Sequence, residues 1–232
     1  MQKNYYQNIL YPLQDKVLRI IEKLPVDFYL TGGTALGRAY LFHRYSDDLD
    51  FFVNQSSTFE KQVEMILKSI KNENIKTEIA VTGDSFVRIF IHHNEAILKI
   101  DFVNDVPYRT GIPVSTELFG RTDTVLNILS NKLTALSRHS AKDVVDIVSI
   151  ALKYDFNWIE IISEASEKDI WINAVEASKI LDSFPPEKLE EIIWITPPDI
   201  NLFMNNLHLL ISDLITGQQN SLFNIKKDKR QK

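Results

Sequence analysis

A glycine pair followed by two closely spaced aspartates is the feature that most constrains the fold of this chain. Gly32 and Gly33 follow the apolar residues 28–30 and precede a helical segment at 35–41, so they lie at a strand-to-helix turn. Because glycine has no Cβ, the backbone there can approach a ligand closely, and the first N–H groups of the helix and the Thr34 hydroxyl are expected to face an anion. The pattern predicts a loop that binds the phosphates of a nucleoside triphosphate.

Asp48 and Asp50 lie two positions apart on a second strand, which is indicated by the apolar residues around them, Leu49 and residues 51–53. Residues two apart on a strand project from the same face, so the two carboxylates are neighbours. They repel each other unless a cation neutralises them, and Mg²⁺ is the usual partner of an all-oxygen site. The alternative is a solvated strand end that happens to follow a glycine turn.

A third carboxylate, Asp101, interrupts an apolar, β-branched strand over residues 96–103. A carboxylate inside an apolar strand is costly unless it has a partner. If this strand lies beside the one that carries Asp48 and Asp50, Asp101 completes a three-carboxylate metal site. The alternative is a water-facing aspartate at the end of the strand.

The order of these elements resembles the nucleotidyltransferase superfamily related to DNA polymerase β. The finer pattern, over residues 32–36 and 44–52, is similar to the AbiEii/AbiGii family, the transferase half of bacterial toxin–antitoxin and phage-defence (abortive infection) pairs. Arg44 and Ser46, which come just before the carboxylates, are candidates for contacts near the nucleotide.

A further motif covers residues 131–146 and fills the positions of that family's pattern. The resemblance implies that Lys132 holds nucleotide phosphates and that Asp143 acts near the acceptor or orients a basic partner. Spacing alone also allows a plainer interpretation, in which Lys132 and its polar neighbours form the solvated faces of two helices.

Composition excludes some classes of protein and site. The chain has no cysteine, which rules out disulfides and thiolate metal sites. Its net charge of −5 argues against an extended basic surface that binds the phosphates of nucleic acid. Neither a signal peptide nor a membrane-length apolar segment is visible, so the sequence predicts a cytoplasmic protein without membrane contact.

The change of pattern along the 232 residues predicts two domains. Residues 1–115 are expected to form an α/β (α+β) nucleotidyltransferase domain with a small mixed sheet and an N-terminal helix. Residues 116–220 are expected to form a helical domain, with helices that include 169–181 and 186–195. The basic end, residues 221–232, is expected to be a disordered tail.

Together with the motif residues, the resemblance implies a nucleotidyltransferase that moves a nucleoside monophosphate from a triphosphate to a hydroxyl group of tRNA or protein. Asp48, Asp50 and Asp101 would hold two Mg²⁺ ions. By resemblance, a cognate antitoxin is a further partner. Two alternatives stay open: an aminoglycoside or lincosamide nucleotidyltransferase, whose acceptor is a drug, and a nucleotide-binding module without catalysis, which would not need all three carboxylates.

Overall fold

The computed structural model describes residues 2–223, and these divide into two compact units. Unit 1 extends to Thr124 and unit 2 begins at Val125. The division falls later than the expected boundary at residue 115 because residues 114–123 return to the sheet of unit 1. Thr122 forms bridges with Leu30 and Val114 there, and the Leu30 N–H donates to the Arg121 carbonyl.

Unit 1 is built on a mixed sheet, as the sequence predicts. Its strands, in chain order, are β1 (Tyr29–Thr31), β2 (Leu49–Asn54), β3 (Lys76–Thr82), β4 (Phe86–His93) and β5 (Ala96–Asp105). They lie in the order β1-β2-β5-β4-β3, with β2 and β5 parallel and the other neighbouring pairs antiparallel. The parallel pair therefore lies at the centre of the sheet.

One face of this sheet forms the core of unit 1. Leu49, Phe51 and Val53 alternate with more exposed residues along β2, and their side chains are buried. Phe51 stacks on Phe102 of β5 at 5.7 Å between ring centroids. This alternation directs Asp50 away from the core, because successive strand side chains point to opposite faces.

The helices of unit 1 begin with α1, which runs through Gln2–Tyr5, a π-helical turn at Tyr6–Leu10, and Tyr11–Glu22. Its buried side chains recur at helical spacing, so one face of this helix packs into the core. Helix α2 comprises Gly32–Thr34 and the π-helical Ala35–Leu41, and α3 is Phe59–Asn72.

Unit 2 is helical. Its elements are α4 (Val125–Thr134) with a 3₁₀ extension at Ala135–Arg138, α5 (Ala141–Ala151), α6 (Trp158–Lys168), α7 (Ala174–Asp182), a 3₁₀ segment (Pro186–Glu191) and α8 (Ile200–Thr216). Two expected helices are shorter than predicted. Helix α7 begins only at Ala174 because the Asn173 side chain caps it, accepting from the backbone N–H groups of Val175 and Glu176. The segment expected at 186–195 forms only a short 3₁₀ helix.

The predicted tail begins inside the packed part of unit 2. Ser221 donates to the Asp213 carboxylate, and Leu222 is buried. Residues 224–232, which include all the basic residues of this tail, lie outside the described residues. Across residues 2–223, no helix is both long and apolar enough to span a membrane.

Candidate active site

The centre of the candidate site is a pair of carboxylates on the two parallel strands. In the β2–β5 register, Asp50 lies directly opposite Asp101. Both residues belong to the sheet face that points away from the aromatic core, since the alternating residues Phe51 and Phe102 point into it. Asp50 is half-buried and Asp101 is 7% exposed. The condition that the sequence set for a shared site, adjacency of these two strands, is met.

Asp48 lies just before β2 rather than within it. The Thr34 hydroxyl donates a short hydrogen bond to the Asp48 carbonyl and is fully buried. This contact ties the glycine turn to the entrance of β2. It also turns the Thr34 hydroxyl toward the protein backbone, whereas the sequence led us to expect it to face an anion.

Gly32 is required by the close approach of Asp50. Its φ of +68° lies in the left-handed region, and a Cβ at this position would stand 2.3 Å from the Asp50 Oδ2 atom. A Cβ on Gly33 would stand 2.7 Å from an Arg44 guanidinium nitrogen and 3.0 Å from the Ser46 hydroxyl. The two glycines therefore let the turn pack against the carboxylate and against the segment that leads into β2.

Arg44 and Ser46 are buried in this packing, at 2% and 6% exposure. Arg44 donates to the Tyr45 carbonyl, and Gln14 of α1 donates to the carbonyls of Ser46 and Asp47. Arg44 and Ser46 therefore belong to the packing that supports the backbone leading to Asp48. A direct contact of Arg44 or Ser46 with a nucleotide stays a prediction.

Helix α1 also holds this segment through its tyrosines. The Tyr6 ring stacks on Tyr45 at 4.3 Å between centroids, and its hydroxyl donates to Asp47 Oδ1 at 2.5 Å. Burial, then the hydrogen bond and negative charge of Asp47, raise the pKa of the Tyr6 hydroxyl well above its ordinary value. Tyr6 is therefore protonated at neutral pH and acts as a permanent donor.

Two cations on the same sheet face balance the carboxylates. Lys99 Nζ lies 2.7 Å from Asp48 Oδ2 and 3.9 Å from Asp101 Oδ2. Arg88 of β4 binds Asp101 with two parallel hydrogen bonds, Nε to Oδ1 and Nη2 to Oδ2, each of 2.7 Å. The three carboxylates and two cations carry a formal net charge of −1.

These contacts are reflected in the pKa values of both cations. Burial alone would lower the pKa of Lys99, but its hydrogen bond to Asp48 and the surrounding carboxylate charges outweigh burial and raise it. The hydrogen bonds to Asp101 raise the pKa of Arg88. Both groups therefore stay charged across the physiological pH range.

The donor set fits a hard divalent cation, because Asp48, Asp50 and Asp101 supply oxygen ligands on one face of the sheet. As the side chains are placed, however, no group of three or more His, Cys, Asp or Glu residues within 2–223 could hold a metal ion. In this arrangement Lys99 is bound to Asp48 and Arg88 is bound to Asp101.

A buried aspartate that the sequence did not single out supports the glycine turn. Asp123 is fully buried, accepts from the Thr31 hydroxyl at 2.7 Å and pairs with Arg109 at 2.8 Å. Thr31 is the register partner of Asp50. Lys99 lies two residues before Asp101 on the same strand, and this spacing could have predicted a cation on the face of the carboxylates. No sequence signal relates Asp123 to Thr31 or Arg88 to Asp101.

In unit 2, the motif residues form a buried ionic cluster. Lys132 Nζ lies 2.7 Å from Asp143 Oδ1 and 2.8 Å from Asp146 Oδ2, and Arg138 contacts the other Asp143 oxygen at 3.0 Å. Lys132 is 8% exposed, and the two aspartates are almost fully buried. Lys132 is thus not a residue of a solvated helix face, and it is bound to two carboxylates.

Comparison with known proteins decides the family. A family model described as nucleotidyl transferase AbiEii toxin, type IV toxin–antitoxin system, matches residues 18–208. The chain belongs to this family. The AbiEii match spans both units, and it makes the protein a nucleotidyltransferase of a toxin–antitoxin system, which implies an antitoxin as partner.

The AbiEii-family chain is also similar in fold to two crystal structures from Helicobacter pylori. One is JHP933, with 21% identity, a TM-score of 0.63, and coverage of 95% of this chain and 96% of the other. The second is a candidate nucleotidyltransferase, with 22% identity, a TM-score of 0.64, and coverage of 92% and 96%. No curated protein matched the sequence.

Proposed function

We propose that this AbiEii-family protein transfers a nucleoside monophosphate from a nucleoside triphosphate to a hydroxyl group of tRNA or protein, in a reaction that needs Mg²⁺. One observation carries the proposal: Asp50 and Asp101 lie in register on adjacent parallel strands, with Asp50 against the glycine turn. Two carboxylates from distant parts of the chain thus meet in the sheet, and one of them packs against the glycine turn.

Asp48, Asp50 and Asp101 would hold the metal. When bound, Mg²⁺ supplies charge neutralisation of the phosphates and lowers the pKa of the attacking hydroxyl. The chain contributes the orientation of its ligands. Arg88 fixes the plane of the Asp101 carboxylate, and the Thr34 hydroxyl fixes the backbone that carries Asp48.

The glycine turn would hold the β and γ phosphates. Helix α2 begins at Gly32, so its first backbone N–H groups and the positive end of its dipole are available to an anion. The Thr34 side chain is engaged with Asp48, which leaves the backbone as the phosphate contact that this turn can offer.

Lys132 and Asp143 enter the proposal through the family pattern. Lys132 would assist with the phosphates, and Asp143 would act near the acceptor or orient a basic partner. Because Lys132 bridges two buried carboxylates, a phosphate would have to compete with Asp143 and Asp146 for its ammonium group. As an antitoxin-controlled enzyme, the protein would modify an acceptor whose loss stops growth, consistent with abortive infection.

The test is to incubate the purified protein with Mg²⁺ and each α-³²P-labelled nucleoside triphosphate, together with bulk tRNA, whole-cell protein or a panel of aminoglycosides and lincosamides. Asp50→Asn is the inactive variant. Asp105→Asn, on the same strand as Asp101 but four residues further on, is its matched control.

We expect label on tRNA or on protein, lost in Asp50→Asn and retained in Asp105→Asn. Label on a drug would instead assign the protein to the resistance enzymes. Absence of label on every acceptor, or equal labelling by wild type and Asp50→Asn, would overturn the proposed reaction.

A further inference from the structure

Lys99 occupies one corner of a square of four charged side chains. The parallel β2–β5 register pairs Leu49 with Ile100 and Asp50 with Asp101. Asp48 and Lys99 each come one residue before the Leu49–Ile100 pair, so they lie next to each other. Three corners of this square are carboxylates, and the fourth is an ammonium group. Lys99 is therefore surrounded by the residues that we assign to the metal.

The Lys99 ammonium lies between two of these proposed ligands, 2.7 Å from Asp48 Oδ2 and 3.9 Å from Asp101 Oδ2. Mg²⁺ binds carboxylate oxygens at about 2.0–2.1 Å. A divalent ion on Asp48 Oδ2 would thus share its oxygen with the ammonium and would be only a few ångströms from it. The two cations repel each other at that separation, so they cannot both bind this oxygen favourably.

Arg88 differs from Lys99 in its geometry. Its two parallel hydrogen bonds take one acceptor position on each Asp101 oxygen, and a carboxylate offers about four such positions. Asp101 can therefore bind a metal while Arg88 stays in place. Lys99 makes one short contact to Asp48 through a flexible stem, its side chain is 28% exposed, and it can turn toward solvent.

We propose that Lys99 is an internal counter-ion that competes with the divalent cation for Asp48. In the metal-free protein, the ammonium holds the carboxylates together against their mutual repulsion. Metal binding requires Lys99 to leave Asp48. The apparent metal affinity is therefore the intrinsic affinity multiplied by the fraction of molecules in which Lys99 has already left Asp48. This inference rests on the proposed function, because it takes the three carboxylates to be metal ligands.

The experiment measures Mn²⁺ affinity by titration calorimetry, without nucleotide or acceptor, in the 232-residue protein. Lys99→Met removes the charge but keeps the length of the side chain, whereas Lys99→Arg keeps the charge. Lys76→Met, at an exposed position on β3 of the same sheet, is the matched control. Asp48→Asn tests whether Asp48 is a ligand. Thermal unfolding of each variant with EDTA or saturating Mn²⁺ accompanies the titration.

We expect Lys99→Met to bind Mn²⁺ at least about tenfold more tightly than wild type. This factor applies if Lys99 has left Asp48 in about a tenth of the wild-type molecules. Lys99→Arg should bind no more tightly than wild type, and Lys76→Met should equal wild type. With EDTA, Lys99→Met should unfold at a lower temperature than wild type, and Mn²⁺ should abolish that difference.

The outcomes separate this inference from the function on which it rests. If Asp48→Asn loses Mn²⁺ affinity while Lys99→Met binds no more tightly than wild type, competition by Lys99 is wrong and the metal site stands. If Asp48→Asn binds Mn²⁺ as wild type does, or if no variant binds it, both the metal assignment and the counter-ion role are overturned.

Discussion

Asp50 on β2 lies opposite Asp101 on β5, and Arg88 on β4 lies opposite Asp101 on its other side. The three residues form one row across three strands, on the face away from the aromatic core. Within the row, the Arg88 guanidinium binds both oxygens of Asp101. The row thus combines a carboxylate pair with a group that fixes the orientation of one member.

This row predicts that Arg88 is a positioning residue for the proposed metal site. Arg88→Gln should lower metal-dependent transfer by about 10–100-fold, the usual effect of removing a group that orients a metal ligand. The transfer rate of Arg88→Lys should lie between those of wild type and Arg88→Gln, because lysine keeps the charge but cannot make the two parallel hydrogen bonds to Asp101. The kcat measured over a range of Mg²⁺ concentrations, with Mn²⁺ affinity as a second readout, tests this. Wild-type values for both variants would contradict it.

Gly32 should not tolerate a side chain. In Gly32→Ala the new Cβ would collide with the Asp50 carboxylate, and the positive φ would add backbone strain of about 1–3 kcal/mol. We expect a lower free energy of unfolding in urea and loss of transfer, since Asp50 must move. Gly83→Ala is the control, because its Cβ would meet only the Phe86 carbonyl at 3.5 Å, an ordinary contact. Equal stability of the two variants would refute the close approach.

The ionic cluster of unit 2 should contribute strongly to stability. Lys132→Met would leave Asp143 and Asp146 buried without their ammonium partner, and we expect it to cost about 3–5 kcal/mol in free energy of unfolding. Lys179→Met, which breaks an exposed pair with Glu176, should cost at most about 1 kcal/mol. Urea titration of both variants makes the comparison.

The same cluster separates a structural from a phosphate-binding role of Lys132. A triple variant, Lys132→Met with Asp143→Asn and Asp146→Asn, removes all three charges together and should recover much of the lost stability. If Lys132 also binds phosphate, the triple variant should be stable but inactive. A stable variant with full transfer activity would remove Lys132 and Asp143 from the mechanism.

The raised pKa of the Tyr6 hydroxyl predicts a loss of folding stability at alkaline pH. Its folded pKa is raised, first by burial and then by Asp47, so above pH 10 the unfolded chain releases a proton that the folded protein keeps. The unfolded state then binds fewer protons, and the free energy of unfolding decreases as pH rises. The stabilisation is complete below pH 10 and is lost above it.

We therefore expect the free energy of unfolding of wild type to fall more steeply than that of Tyr6→Phe between pH 10 and 11, by up to about 1.4 kcal/mol per pH unit. Comparing the two proteins cancels the other tyrosines. Parallel pH profiles would show that Tyr6 ionises alike in the folded and unfolded states.

Local pattern was sufficient for much of the fold. The alternation around Asp50, the helical spacing in α1 and the glycine pair each depend on residues close together in the chain, and the sequence predicts the corresponding elements. Helix α7 shows where such reasoning fails even locally, because the apolar residues before Ala174 resemble a helical turn while the Asn173 cap starts the helix after them.

The sequence by itself determined the chemical groups of the candidate site and the strands that carry them, since strand periodicity fixes which face a residue occupies. Only the tertiary structure decided their partners. The β2–β5 register places Lys99 on Asp48, and helix packing places Lys132 between two buried aspartates. Lys99 and Asp48 are far apart in the chain, and Lys132 belongs to a different helix from the two aspartates, so the geometry of these contacts depends on strand pairing and on helix packing.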